Sequence, residues 1–198
     1  MGKMKPGFSS DLAMKTAVAV AVAVPLFFVS AVPASAAKAA QASISGQYLS
    51  ARHAEKQKDA AAAAKLYYNV LATDPKNATL LQRTFFALVA SGKTGKAIDI
   101  ADRLIAINPR DSMAGIALAL DQMRKGDFPA ALKKLSRASR SRLNALVIPL
   151  VEAWAQVGAG ETDKALKALN ALDRRKAYRL FKNYHMALIN DLAGKNDA

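Results

Sequence analysis

Cysteine is absent from these 198 residues. That removes disulfide frameworks, thiolate-bound zinc, iron–sulfur clusters, thiol catalysis and lipid attachment to a leading Cys in one step. Histidine is nearly absent too, and His53 and His185 alone cannot supply a multi-His metal site. Acidic residues number 15 against 29 Lys and Arg, so the formal charge is +14 and the pI about 10.1. A surface that basic favours anionic partners. Apolar residues still make up 52 % of the chain and charged ones 22 %, enough to bury a core and to exclude wholesale disorder. At this length the chain holds one ordinary domain or one short repeat array.

Residues 1–36 read as a secretory leader. Lys3, Lys5 and Lys15 oppose a single acid, Asp11; an uncharged run, TAVAVAVAVPLFFVSAV, follows from Thr16 to Val32, and then Ala34-Ser35-Ala36. Small residues at that spacing suit a signal peptidase, which places cleavage after Ala36. The alternative is an uncleaved anchor in the inner membrane. Seventeen apolar residues interrupted by Pro25 are at the short limit for a ~30 Å hydrocarbon core. Without the leader the chain carries 26 basic and 14 acidic residues, net +12. The expected setting is export to the periplasm of a bacterial envelope.

The rest of the chain repeats itself, and the period is 34. Gly92, Gly126, Gly160 and Gly194 keep that interval, with Lys58 one step earlier; so do Ala63, Ala97, Ala131 and Ala165, and Pro75 with Pro109. Each residue type fits one role in a helix hairpin. The glycine closes the first helix in a left-handed cap. An Asp or Thr just beyond it (Asp59, Thr94, Asp127) can accept from the free N–H groups of the second helix. The alanine lies where the two helices cross, and the proline forbids the second helix to continue. Helices are expected at 44–57, 61–73, 78–91, 95–107, 112–125, 129–141, 147–158, 162–173 and 178–193.

This pattern resembles the tetratricopeptide repeat (TPR), a 34-residue motif of small, aromatic and proline residues at set places. Unit 44–77 matches through Ala51, Ala63, Tyr67 and Pro75. Unit 78–111 matches through Gly92, Ala97 and Pro109, with Phe85 where the motif wants a small residue and Ala101 where it wants an aromatic one. Unit 112–145 matches through Ala119, Gly126, Phe128 and Ala131, with Leu143 in place of the closing proline; unit 146–179 matches through Ala153, Gly160 and Ala165, with Pro149 in its expected first turn. A half unit, 180–198, supplies one more helix, either a cap or the cut edge of a longer array. The resemblance implies an all-α fold: a right-handed α-solenoid of about four and a half hairpins over 44–198, preceded by a linker (37–43) and the leader helix.

It further implies that the first helix of each hairpin lines a concave groove. Positions 2, 5, 9, 12 and 13 of the units place Phe86, Val89, Met113, Ile116, Leu120, Met123, Val147, Leu150, Trp154, Val157, Phe181, Tyr184 and Leu188 there, with Tyr48, Arg52, Glu55 and Lys56 in the first unit. So much contiguous apolar surface suits a partner helix or an extended apolar peptide, with Trp154 as anchor. The competing reading makes these residues inter-repeat core, or covers them from within the chain. The polar residues with which some relatives grip a peptide carboxylate have Tyr48, Gln82, Ile116 and Leu150 in their places.

The cations form a second pattern. Lys133, Lys134, Arg137, Arg140 and Arg142 make one acid-free cluster and Arg174, Arg175, Lys176, Arg179 and Lys182 another. Arg140 and Arg174 are one period apart, as are Arg142 and Lys176, so the clusters are expected to form one basic edge away from the groove. Either it is a solvated edge, since cations favour helix C-termini, or it docks an anionic membrane or an acidic protein. Nucleic acid is not expected, because no aromatic residues interleave the cations. No cofactor and no metal are expected. Nor is catalysis, since no Ser/His/Asp order or phosphate loop exists, and the carboxylate pairs Asp99/Asp102 and Glu161/Asp163 suit helix surface and caps.

Overall fold

The computed structural model describes residues 43–141 and 144–195. The expected leader, most of the linker, and Arg142 and Leu143 lie outside the described residues. Within them the regular structure is helical: α1 (Ile44–Lys56), α2 (Ala60–Leu71), α3 (Ala78–Ala90), α4 (Thr94–Ile107), α5 (Ser112–Arg124), α6 (Phe128–Arg137), α7 (Asn144–Gly158), α8 (Thr162–Leu169) and α9 (Arg179–Leu192), with 3-10 turns at Asn170–Arg174 and Lys176–Tyr178. Consecutive helices pack on each other, and α5 also packs on α7. The odd-numbered helices, the first of each hairpin, therefore form one layer of an α-solenoid and the even-numbered ones the other.

One backbone device sets the stride. Lys58, Gly92, Gly126, Gly160 and Gly194 all adopt positive φ, between 60° and 81°. At each of these turns the next residue's N–H (59, 93, 127, 161, 195) donates to a carbonyl five residues back (54, 88, 122, 156, 190), at 2.8–2.9 Å. That is a Schellman cap, which satisfies orphan carbonyls at the end of the first helix. Only the first of the five turns places a residue with a Cβ in the left-handed position, where the side chain crowds the following carbonyl. The caps of the second helices also agree in part with expectation. Asp59 and Asp127 accept from the N–H groups of Ala62 and Ala130 at 2.9 and 3.0 Å. Thr94 does not cap: it is the first residue of α4, and the N-cap residue, Lys93, makes no side-chain bond.

The interior is built from the periodic positions. Ala63, Ala97, Ala131 and Ala165 are all buried. So are Ala51, Phe85, Ala119 and Ala153, one per first helix, and Tyr67, Ala101, Leu135 and Leu169, one per second helix. Three units pair a small residue on the first helix with a large one on the second. The second unit reverses the pair, Phe85 with Ala101, so its two departures from the motif keep the total volume nearly constant, the kind of exchange a close-packed core tolerates. Each fully buried large side chain, such as Tyr67, Leu81, Leu88 or Ile100, contributes about 1.5–3 kcal/mol relative to exposure.

Three boundaries depart from expectation. α6 stops at Arg137 rather than 141: the Ser139 N–H donates to the Arg110 carbonyl at 3.3 Å, and Ala138 packs so closely on Gly115 that a Cβ there would sit 3.3 Å from its own. α7 starts at Asn144 rather than 147, its side chain donating to Ser112 Oγ at 2.7 Å. Pro149 is therefore inside the helix and buried, not in its first turn, and the bond its missing N–H would make is lost. Finally, α8 is α-helical only to Leu169 and tightens into a 3-10 turn that ends at Arg174.

Candidate functional site

Of the twelve large apolar side chains exposed among the described residues, ten lie on first helices; the exceptions are Tyr68 on α2 and Ile107 on α4. Second helices bury one face on each neighbouring hairpin, whereas a first helix keeps a stripe free in the layer it forms. Phe86, Val89 and Leu120 occupy that stripe at 43, 47 and 48 % exposure, and Met113, Phe181 and Tyr184 are exposed with them. Phe86 meets Phe85 edge to face at 5.4 Å, so the exposed ring is held by a buried one.

Other expected groove residues lie deeper. Ile116 is 7 % exposed and belongs to the core with Ala119, Ala131, Leu135 and Ile148. It is drawn inward because α7 packs directly against α5 at this point. Met123 is half-buried against the same cluster, and Leu150, Trp154 and Val157 against the next one, around Leu169 and Ile189. Trp154 is tied to the neighbouring first helix: its indole N–H donates to His185 Nδ1 at 3.1 Å, and the two rings meet edge to face at 6.0 Å, with Tyr184 also edge to face with His185 at 5.4 Å. Indole nitrogen only donates, so the facing imidazole nitrogen carries no proton. Trp154 thus joins α7 to α9, and only part of its ring is left for a partner.

At the opposite end the layer carries a polar node. Glu55 on α1 accepts from Tyr67 Oη at 2.5 Å and from Arg83 Nη1, on α3, at 2.9 Å, with Arg52 at 3.7 Å. Tyr67 is fully buried; burial first, and then its bond to the Glu55 carboxylate, push its hydroxyl up to about 12. This node was not legible as a unit, although Glu55 and Arg52 had been placed in the groove. Its signal is an offset: Arg83 follows Glu55 by 28 residues and His185 follows Trp154 by 31, each a few residues short of one period, where adjacent first helices touch.

The cations divide into two groups. Arg140 chelates Glu152 on α7 through two bonds of 2.9 and 3.0 Å, Lys134 reaches Asp102 on α4 at 3.6 Å, and Lys182 holds Asp173 at 2.6 Å. These are cross-braces between elements. Lys133, Arg137, Arg174, Arg175, Lys176 and Arg179 are exposed, and none is ion-paired to a carboxylate among the described residues; Arg175 rests over the Tyr178 ring at 5.7 Å. Arg142 lies outside the described residues. Elsewhere Asp121, on α5, is held below the ordinary carboxylate range by bonds from Lys125 and Arg124. Among the described residues no group of three or more His, Asp or Glu side chains is placed to hold a metal. No helix there is long and apolar enough to cross a membrane.

Comparison with known proteins places this geometry. The tetratricopeptide repeat family profile matches residues 54–120. No curated protein matches the chain. Among solved structures, a MamA crystal structure superposes with a TM-score of 0.66 at 18 % identity, covering 78 % of this chain and 84 % of that one. MamA from Desulfovibrio magneticus RS-1 does so with 0.64 at 14 % identity, covering 77 and 86 %. TTC0263, a TPR protein of Thermus thermophilus, gives 0.52 at 17 % identity, covering 74 and 80 %. At such identities these likenesses speak to the fold alone. Period, caps and hairpin packing agree with the profile over residues 54–120, and the described residues form an α-solenoid of the tetratricopeptide repeat type, a fold of protein–protein interaction scaffolds.

Proposed function

We propose that the protein is a non-catalytic scaffold that holds a partner helix or an extended apolar peptide along the layer of first helices. The observation that carries this reading is the concentration of exposed apolar side chains on that layer, with Phe86, Val89, Met113 and Leu120 on two consecutive first helices. A contiguous apolar stripe in water is unfavourable unless something covers it, and an amphipathic helix with anchors one turn apart supplies the matching surface. The polar node of Arg52, Glu55 and Arg83 would end the apolar stretch and set the register of the ligand. The leader-like sequence of residues 1–36 supports a working site in the bacterial envelope, with the protein periplasmic or held to the inner membrane by an uncleaved segment.

Photocrosslinking in cells tests the groove. A photoreactive residue at Leu120 or Phe86 should yield one shared adduct, mapped by mass spectrometry to a helical or apolar segment of a single partner; at Lys65, on α2, it should not. Leu120→Asp combined with Phe86→Asp should abolish that adduct while circular dichroism stays helical. Identical adducts from Leu120 and Lys65 would refute the groove. Fractionation with N-terminal sequencing of the mature chain tests the location.

A further inference from the structure

We propose that the segment joining α8 to α9, together with the first two residues of α9, is a docking surface for an anionic lipid bilayer. Four cations fall within six residues there, Arg174, Arg175, Lys176 and Arg179; all four are exposed, and none is ion-paired to a carboxylate among the described residues. The only acid nearby in sequence, Asp173, is already taken by Lys182. Beside them Leu180 is 78 % exposed, more than any other large apolar side chain among the described residues.

Folding does not account for this arrangement. Arg174 closes a 3-10 turn, where a cation is favourable, but Arg179 is the first residue of α9 and Lys176 opens the short 3-10 turn that leads into it. That terminus has no side-chain cap and no acid in its first turn, and positive charge there opposes the free N–H groups of the helix. Equally, nothing in the packing needs Leu180 in water. The segment is nonetheless held firmly. Leu172 just before it and Ile189 on α9 are buried in one cluster, and Tyr178 is half-buried against that cluster. The cations and Leu180 are thus presented on a rigid base.

A basic stretch next to a protruding leucine is the pattern of an interfacial contact: charge attracts the surface, and the apolar chain enters the boundary between headgroups and acyl chains. A folded partner would call for a cleft or a shaped apolar patch, and three open clefts lie along α1–α4, away from this segment. Single-stranded nucleic acid would call for stacking rings between the cations; the ring there, Tyr178, is packed on the core and covered by Arg175, and the exposed Phe181 follows all four. A flat anionic surface calls for neither.

The test is co-sedimentation of the full chain with vesicles of phosphatidylglycerol in phosphatidylcholine, and with phosphatidylcholine alone. The run 16–32 is common to every variant, so differences between variants report this surface. Binding to the anionic vesicles should exceed binding to the neutral ones and should fall at least about ten-fold as ionic strength rises from ~0.1 to ~1 M. Each cation changed to Gln should weaken it about five-fold. The set Arg174→Gln, Arg175→Gln, Lys176→Gln and Arg179→Gln should therefore release the protein. A charge-matched control set, Lys56→Gln, Lys65→Gln, Lys76→Gln and Lys93→Gln, should leave most binding intact. Leu180→Ser should cost about five- to ten-fold. Equal losses in the two Gln sets would reduce the effect to net charge and overturn the proposal. So would an unchanged Leu180→Ser variant, or equal competition by soluble polyphosphate, which would assign the cations to a free polyanion.

Discussion

From Ala51 to Leu118 the buried side chains form one continuous cluster of eighteen residues, whereas on the C-terminal side they fall into two, six around Ile116 and Ile148 and five around Leu169 and Ile189. The second helices differ in the same sense. α2 and α4 have 12 and 14 residues, α6 and α8 only 10 and 8. A short second helix carries fewer large side chains to its neighbours, so the C-terminal hairpins rest on small clusters around Leu135 and around Leu169 and Leu172, supplemented by side-chain braces: Arg140 to Glu152, Asn144 to Ser112, Trp154 to His185. In a solenoid each unit is stabilised by itself and its neighbours only. The same period therefore supports a cooperative half and a half whose hairpins can open locally.

The largest effect that sharpens this contrast is a cavity in each half. Phe85→Ala should cost about 3–5 kcal/mol in chemical denaturation, and adding Ala101→Tyr should recover part of it by restoring the small–large order of the other units. Leu169→Ala removes an equally buried side chain. Its effect should appear first as faster amide exchange in α7–α9, with α1–α4 still protected. Uniform loss of protection along the chain would mean that the two halves are one cooperative unit.

The next effect belongs to the N-terminal half alone and is read by pH. Tyr67 is favoured in its neutral form when folded, with its hydroxyl raised to about 12. Its contribution is complete below the ordinary tyrosine value of about 10 and is lost as pH rises through about 12, on the order of 2–3 kcal/mol in all. Tyr67→Phe should abolish that alkaline slope. A slope unchanged in the variant would assign it to another group. Smallest is the left-handed turn at Lys58: Lys58→Gly should stabilise the protein by ~1 kcal/mol, measured as a shift in denaturation midpoint, by relieving the Cβ in that conformation.

The periodic part of this architecture could be read directly. A glycine or alanine recurring every 34 residues has a meaning that depends only on backbone geometry and helix crossing, so hairpins, turns and the buried alanines followed from the sequence. Departures arose where a non-periodic contact decided the outcome. Asn144 bonding Ser112 lengthened α7 and left Pro149 inside it; Ala138 against Gly115 cut α6 short; and direct packing of α7 on α5 took Ile116 out of the groove. The site was legible as a stripe but not in depth, because relative exposure depends on how closely successive first helices approach. For the basic edge, the residues were visible and their partners were not: Asp102 and Glu152 lie on other elements, and only folding brings them to Lys134 and Arg140.

The matched caps at Lys58, Gly92, Gly126, Gly160 and Gly194 have a consequence for how such a molecule can change length. Excising or duplicating the stretch between any two of these turns rejoins identical backbone corners, so the chain stays in phase with itself. Removing or adding one residue within a helix would instead turn the remainder of that helix by about 100° and take its apolar stripe off its neighbours. Growth and loss by whole modules are therefore conformationally cheap, and single-residue insertions inside the helices are not.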